Sequence, residues 1–146
     1  MKKYLLVVDD DRNFTDDIKE FLEYSDSGYQ FDVKSVRSIR AAKRELEMKK
    51  PDLCILDLMF PPDRGNIKGG IQDIIQGLDF QEVLLEKQIP TIVVTGALRW
   101  HRAKKYIRDG KYLEDKKNLL EKPVPMQELE ETIIRVIENG GKKENN

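Results

Sequence analysis

A chain of 146 residues accommodates one compact domain burying roughly 70% of the surface exposed by its unfolded form, with little room for two. Charged residues make up 36% and nearly cancel, to a formal net charge of -1, which argues against a general polyanion or membrane-surface binder. The single cysteine, Cys54, excludes an internal disulfide, and no apolar stretch matches a membrane span or signal peptide, so the expected location is cytoplasmic.

Five short apolar runs, rich in β-branched residues, read as strands: Tyr4 to Val8, Phe31 to Val36, Leu53 to Leu56, Thr91 to Val94 and Asn118 to Leu120. Between the first two, Phe14, Ile18, Phe21 and Leu22 follow helical spacing; Ile39, Ala42 and Leu46 do so after the second, and Phe80, Val83 and Leu84 after the third. Cys54 lies inside the third run, where a thiol behaves as a small hydrophobe. A last helix carries Pro125 near its first turn and Glu128, Glu130 and Glu131 near its positive end, with Leu129, Ile133, Val136 and Ile137 as its apolar stripe. Asn139-Gly140-Gly141 reads as its stop, leaving a polar, disordered tail over 139–146. Strands alternating with helices, and strands apolar on both faces, predict a doubly wound α/β domain with a parallel sheet covered on both sides.

In an open parallel sheet, ligands bind beyond the carboxyl ends of the strands. Here the first strand ends in Asp9-Asp10-Asp11, the third in Asp57, the fourth in Thr95 and the fifth in Glu121-Lys122-Pro123. Each feature alone has an ordinary explanation: an acidic run is often a helix cap, as expected of Asp11, and a lone Thr or Lys-Pro is common. Together, at the ends of separate strands, they fit phosphate and a hard cation. Two like charges about 4 Å apart repel by roughly 4 kcal/mol at an effective dielectric near 20, so clustered carboxylates need compensation. Mg²⁺ supplies it on one or two carboxylates plus a phosphate, Lys122 adds a mobile ammonium and Thr95 a hydroxyl. Such a set suits nucleophilic attack by a carboxylate on phosphorus.

The motifs LLVVDD (Leu5 to Asp10), KPDLCILDLMFP (Lys50 to Pro61), PTIVVTG (Pro90 to Gly96) and EKPV (Glu121 to Val124) resemble those of the receiver family of two-component signalling, from Tyr4 to about residue 138. The resemblance implies a flavodoxin-like five-stranded parallel sheet in the order 2-1-3-4-5, with a receiver domain over 1–138. It implies that Asp57 is the phosphoacceptor, that Asp10 ligates Mg²⁺ directly, that Asp9 places the ion through water and that Met59 contributes its backbone carbonyl. Thr95 and Lys122 would hold the phosphoryl oxygens, and small Gly96 would leave room for the donor. The donor in this family is a phosphohistidine on a sensor histidine kinase or a histidine phosphotransfer protein. The receiver catalyses its own phosphorylation and slow dephosphorylation without being a conventional enzyme; its downstream partner is unknown, a phosphorylation-dependent homodimer is one outcome, and neither nucleic acid nor membrane is expected.

Three departures mark this chain. About a dozen extra residues, near 66–76, precede the third helix in a region usually short. Helical spacing continues there through Ile67, Ile71, Ile74, Ile75 and Leu78, while Gly69, Gly70 and Gly77 weaken the helix. The insertion reads as an added surface turn, or as an element that shapes partner choice or shields the acyl phosphate; unchanged phosphotransfer, dephosphorylation and partner binding after deleting it would remove the second reading. Leu119 stands where the family carries an aromatic switch residue. The long basic stretch from Arg99 to Lys117 reads as a solvated face or as a docking surface for an acidic partner. Within it, Trp100 is a packing residue, and His101 is a poor metal ligand with no second His or nearby Cys. Met59 and Ala97 occupy the positions that, in the family the chain resembles, border the path of the hydrolytic water; both are apolar and offer it no hydrogen bond, so slow self-dephosphorylation is expected.

Two other functions compete. A pseudo-receiver would keep the fold as a phosphorylation-independent docking module, but a scaffold has no physical need to gather Asp9, Asp10, Asp57, Thr95 and Lys122. A haloacid-dehalogenase-type phosphatase also uses an Asp nucleophile and Mg²⁺, but places the nucleophile on the first strand in Asp-x-Asp-x-Thr; Asp9 to Asn13 lacks the Thr, and Asp57-Leu58-Met59 lacks the second Asp.

Overall fold

Alternate residues of a strand point to opposite faces, so an uninterrupted apolar run can be buried only if both faces of its sheet are covered. The computed structural model, which describes residues 1–58, 69–96 and 118–144, meets that condition. Strands β1 (Lys2–Val8), β2 (Gln30–Val36), β3 (Leu53–Leu56), β4 (Thr91–Thr95) and β5 (Leu119–Glu121) form one sheet in the order β2-β1-β3-β4-β5. Every neighbouring pair is parallel. The described helices are α1 (Arg12–Glu23), α2 (Ile39–Met48), α3 (Gly69–Glu86) and α4 (Met126–Glu144). This is the flavodoxin-like α/β fold expected, with the expected strand order.

The alternation divides the core in two. Leu6 and Val8 of β1, Cys54 and Leu56 of β3 and Val93 of β4 join Ala42 of α2 and Leu78, Phe80 and Leu84 of α3 on one face. Leu5, Val7, Leu53, Ile55, Ile92 and Val94 join Ile18 and Leu22 of α1 and Leu129, Ile133 and Val136 of α4 on the other. The central strands are buried on both faces, whereas β2, at an edge, alternates exposed and half-buried residues until Val36. Leu119 packs against the first cluster, as an ordinary core side chain does.

Local signals start the helices. Asp11 caps α1, its carboxylate accepting from the backbone N–H groups of Asn13 and Phe14, and Ser38 caps α2 by accepting from Ala41. Two boundaries differ from expectation. The last helix does not stop at Asn139-Gly140-Gly141 but runs to Glu144. A glycine stop needs a left-handed backbone, and of the described glycines only Gly28 has a positive φ, so Gly140 and Gly141 weaken α4 without ending it. Similarly, Gly69 and Gly70 do not break α3 but open it, so that 69–76 is the amino-terminal part of one continuous helix. The rest of the expected insertion, 66–68, lies outside the described residues.

Candidate acidic site at the carboxyl ends of the strands

The three residues that define the site each stand one position beyond, or at the limit of, a strand, and each is held there by the sheet. The Asp9 N–H donates to Val36 O of β2 at 3.0 Å, the Asp57 N–H to Val8 O of β1 at 3.0 Å, and the Lys122 N–H to Thr95 O of β4 at 3.1 Å. These bonds continue the strand ladders past their last regular residues. The side chains of Asp9, Asp57 and Lys122 therefore leave a rigid frame rather than a loop.

They converge. Lys122 Nζ donates to Asp9 Oδ2 at 2.8 Å and to Asp57 Oδ2 at 3.3 Å. The other Asp9 oxygen, Oδ1, accepts from the Asp11 N–H at 2.9 Å. Carboxylate oxygens of Asp9, Asp10 and Asp57 lie within 4.8 Å of one another. Asp9 is only 2% exposed and Asp57 5%, while Asp10 is half-buried. Thr95 is fully buried at the end of β4, paired in register with Glu121.

The electrostatics follow from this crowding. Burial and then the neighbouring Asp9 charge raise the Asp10 carboxyl above its ordinary range. For Lys122, burial disfavours the ammonium, but Asp57 and Asp9 together outweigh it and hold the pKa above that of an ordinary lysine. Lys122 is thus charged at neutral pH, yet among the described residues one ammonium faces three carboxylates. The excess negative charge, on hard oxygen donors brought within one ion's reach, fits a divalent cation: Asp9, Asp10 and Asp57 could hold a metal ion.

Sequence reasoning missed two supports of this site. Phe14 read only as part of the α1 stripe, but Lys122 Nζ lies 4.5 Å from its ring centroid. Gly77 read only as a helix weakener, but a Cβ there would stand 3.0 Å from Leu58 Cδ2 and 3.2 Å from Leu58 Cα. Its lack of a side chain lets α3 approach the backbone immediately after Asp57. Gly96 behaves differently: a Cβ there would meet nothing within 4 Å among the described residues. Asp11 is the cap expected. Met59, Ala97, Trp100, His101 and the stretch from Arg99 to Lys117 lie outside the described residues.

Known structures share this architecture. The signal receiver domain of a signal transduction histidine kinase from Syntrophus aciditrophicus is 25% identical, with a TM-score of 0.69 over 94% of this chain and 91% of that one. A CheY-like response regulator receiver domain protein from Methanospirillum hungatei JF-1 is 21% identical, with a TM-score of 0.68 over 98% and 99% of the two chains. The receiver domain of Francisella response regulator 1452 is 22% identical, with a TM-score of 0.63 over 97% and 98%. No curated protein sequence matches the chain. The model of the response regulator receiver domain matches residues 5–134, nearly the whole sheet and every site residue described, and the chain belongs to that family.

Proposed function

We propose that the chain is a phosphorylation-dependent signalling switch in which Asp57 accepts a phosphoryl group from a histidine kinase or histidine phosphotransfer protein. The observation that carries this reading is the placement of a nearly buried Asp57 with Lys122 Nζ at 3.3 Å and the carboxylates of Asp9 and Asp10 beside it. Receiver domains as a class interact with histidine kinases, which agrees with the donor assigned here.

An Asp57 carboxylate oxygen attacks phosphorus, forming an acyl phosphate as the bond from phosphorus to the donor nitrogen breaks; the departing imidazole keeps the bonding electrons. Lys122, already at Asp57, neutralises charge on the transferring oxygens, and Thr95 donates its hydroxyl at the same rim. Asp9 and Asp10 would hold Mg²⁺ together with Asp57, and the backbone carbonyl of Met59 would complete the proposed ligand set. Bound there, the ion supplies positive charge to the phosphoryl oxygens. Gly96, with no atom of the described residues within 4 Å of where a Cβ would stand, would leave room for the donor.

A phosphorylated Asp57 carries about -1.5 to -2 of charge in place of the carboxylate's single negative charge, with new acceptor oxygens, and shifts an existing equilibrium of the neighbouring face. With a partly buried Leu119 packed against the core at the position usually aromatic, the readout falls on the segment after Thr95, which includes the basic stretch from Arg99 to Lys117. The chain's only tryptophan, Trp100, lies in that segment and reports on it. Beryllofluoride, a phosphate mimic, added with Mg²⁺ should change Trp100 fluorescence in the parent and not in Asp57→Ala. No change in either, with no Mg²⁺ binding, would overturn the reading in favour of a phosphorylation-independent docking module.

A further inference from the structure

Lysine carries its charge on a flexible four-carbon stem, so a lysine that must meet a transferring group at a fixed place needs more than attraction to hold it. Lys122 has a third contact beyond its two carboxylates. Phe14, in the first turn of α1, is partly buried and packs against the core cluster shared by α1 and α4, and Lys122 Nζ lies 4.5 Å from the ring centroid. A cation over an aromatic face is attracted to its quadrupole, more strongly as water is withdrawn. The Lys122 side chain is only 22% exposed. An aliphatic residue at 14 would fill part of the same space but offer no such face to the ammonium.

The ring is itself well anchored. The N–H of Phe14 donates to the Asp11 carboxylate that caps α1, and Asp11 in turn donates its N–H to Asp9. One turn of backbone thus fixes both the ring beneath the ammonium and a carboxylate that accepts from it. Asp9 Oδ2 at 2.8 Å, Asp57 Oδ2 at 3.3 Å and the Phe14 ring together restrain the ammonium from three directions of contact.

We propose that Phe14 is a positioning residue whose ring face holds the Lys122 ammonium at the acceptor carboxylate, so that an incoming phosphoryl group meets a pre-oriented lysine. The proposal rests on Asp57 being the acceptor, and its tests separate the two. In the parent and in Phe14→Tyr, the ε-methylene protons of Lys122 are shifted upfield by the ring current relative to their position in Phe14→Leu. Acetyl phosphate, a donor too small to need a protein docking surface, should phosphorylate Phe14→Leu roughly five- to tenfold more slowly than the parent, with Phe14→Tyr within about twofold. In a Lys122→Met background, Phe14→Leu should shift the unfolding equilibrium roughly fivefold less than in the parent, because lost packing is common to both backgrounds and the cation contact is not. Phe14→Met, which keeps bulk without a ring, replaces Phe14→Leu if the latter does not fold. Unshifted ε-methylene protons in the parent, equal losses in both backgrounds, or an unchanged rate in Phe14→Leu would overturn the assignment of Phe14. A parent that takes up no phosphoryl group would instead overturn the reading of Asp57.

Discussion

The two ends of the sheet set similar residues together and obtain different chemistry. On the amino-terminal side, the Tyr4 N–H donates to Asp52 Oδ2 at 2.7 Å, the Tyr4 hydroxyl lies 3.5 Å from Glu45, and Lys49 Nζ sits 4.8 Å from the Tyr4 ring centroid. Glu45 also pairs with Lys34, but at 4.0 Å, with the Lys34 side chain 56% exposed. At the carboxyl ends, Lys122 meets Asp9 at 2.8 Å, and the Asp9 side chain is 2% exposed. A lysine, carboxylates and an aromatic ring thus recur at both ends. The contrast lies in burial and in charge balance: a solvated pair is screened and contributes little, whereas buried like charges demand a counter-ion. Burial also raises the Tyr4 hydroxyl, helped by Glu45, which keeps it a neutral donor.

Substitutions can sharpen this contrast. The largest effect is expected from Lys122→Met, which leaves Asp9 and Asp57 facing each other without an ammonium. Removing one partner of a fully buried pair costs about 3–5 kcal/mol; since Lys122 keeps contact with water, about 2 kcal/mol is expected from denaturant unfolding without divalent ions, with part recovered in Mg²⁺. The pH dependence has a definite sign. Because the folded-state pKa of Lys122 is raised, its contribution is complete below the ordinary lysine range and is lost as pH rises through the raised value. Lys122→Met should lack that alkaline loss.

Next comes Gly77→Ala, which sets a Cβ against Leu58 and presses on the backbone beside Asp57; a loss of about 1–2 kcal/mol and slower phosphorylation are expected. Gly140→Ala, with nothing among the described residues within 4 Å of the new Cβ and a helical backbone, should instead stabilise by about 0.5–1 kcal/mol. Asp10→Asn should give a smaller gain, under about 1 kcal/mol, in chelator. Folding raises the Asp10 pKa, so its charged form opposes folding at neutral pH, and parent and variant should converge as acid protonates Asp10. The same variant should bind Mg²⁺ more weakly. Smallest of all is Lys34→Met at the solvated end, within about 0.5 kcal/mol of the parent by thermal unfolding.

The fold was legible in the sequence because β1, β3 and β4 are buried on both faces, and such strands read as continuous apolar runs. The site carboxylates were legible because each follows such a run directly. What escaped depended on tertiary distance. Nothing in the spacing of Phe14 tells that Lys122, far away in sequence, lies over its ring, and Gly77 reveals its purpose only once Leu58 is placed against α3. Gly140 and Gly141 misled because composition reports the cost of glycine in a helix but not whether its φ turns positive. No described helix is long and apolar enough to cross a membrane.

The measurement that bears most directly on Asp57 is phosphoryl incorporation, followed by intact mass and localised by peptide mapping after treatment with acetyl phosphate. One phosphoryl group on Asp57 is expected in Mg²⁺, absent with chelator and absent in Asp57→Ala. Incorporation that persists undiminished in Asp57→Ala, or none in the parent with Mg²⁺ present, would contradict the account.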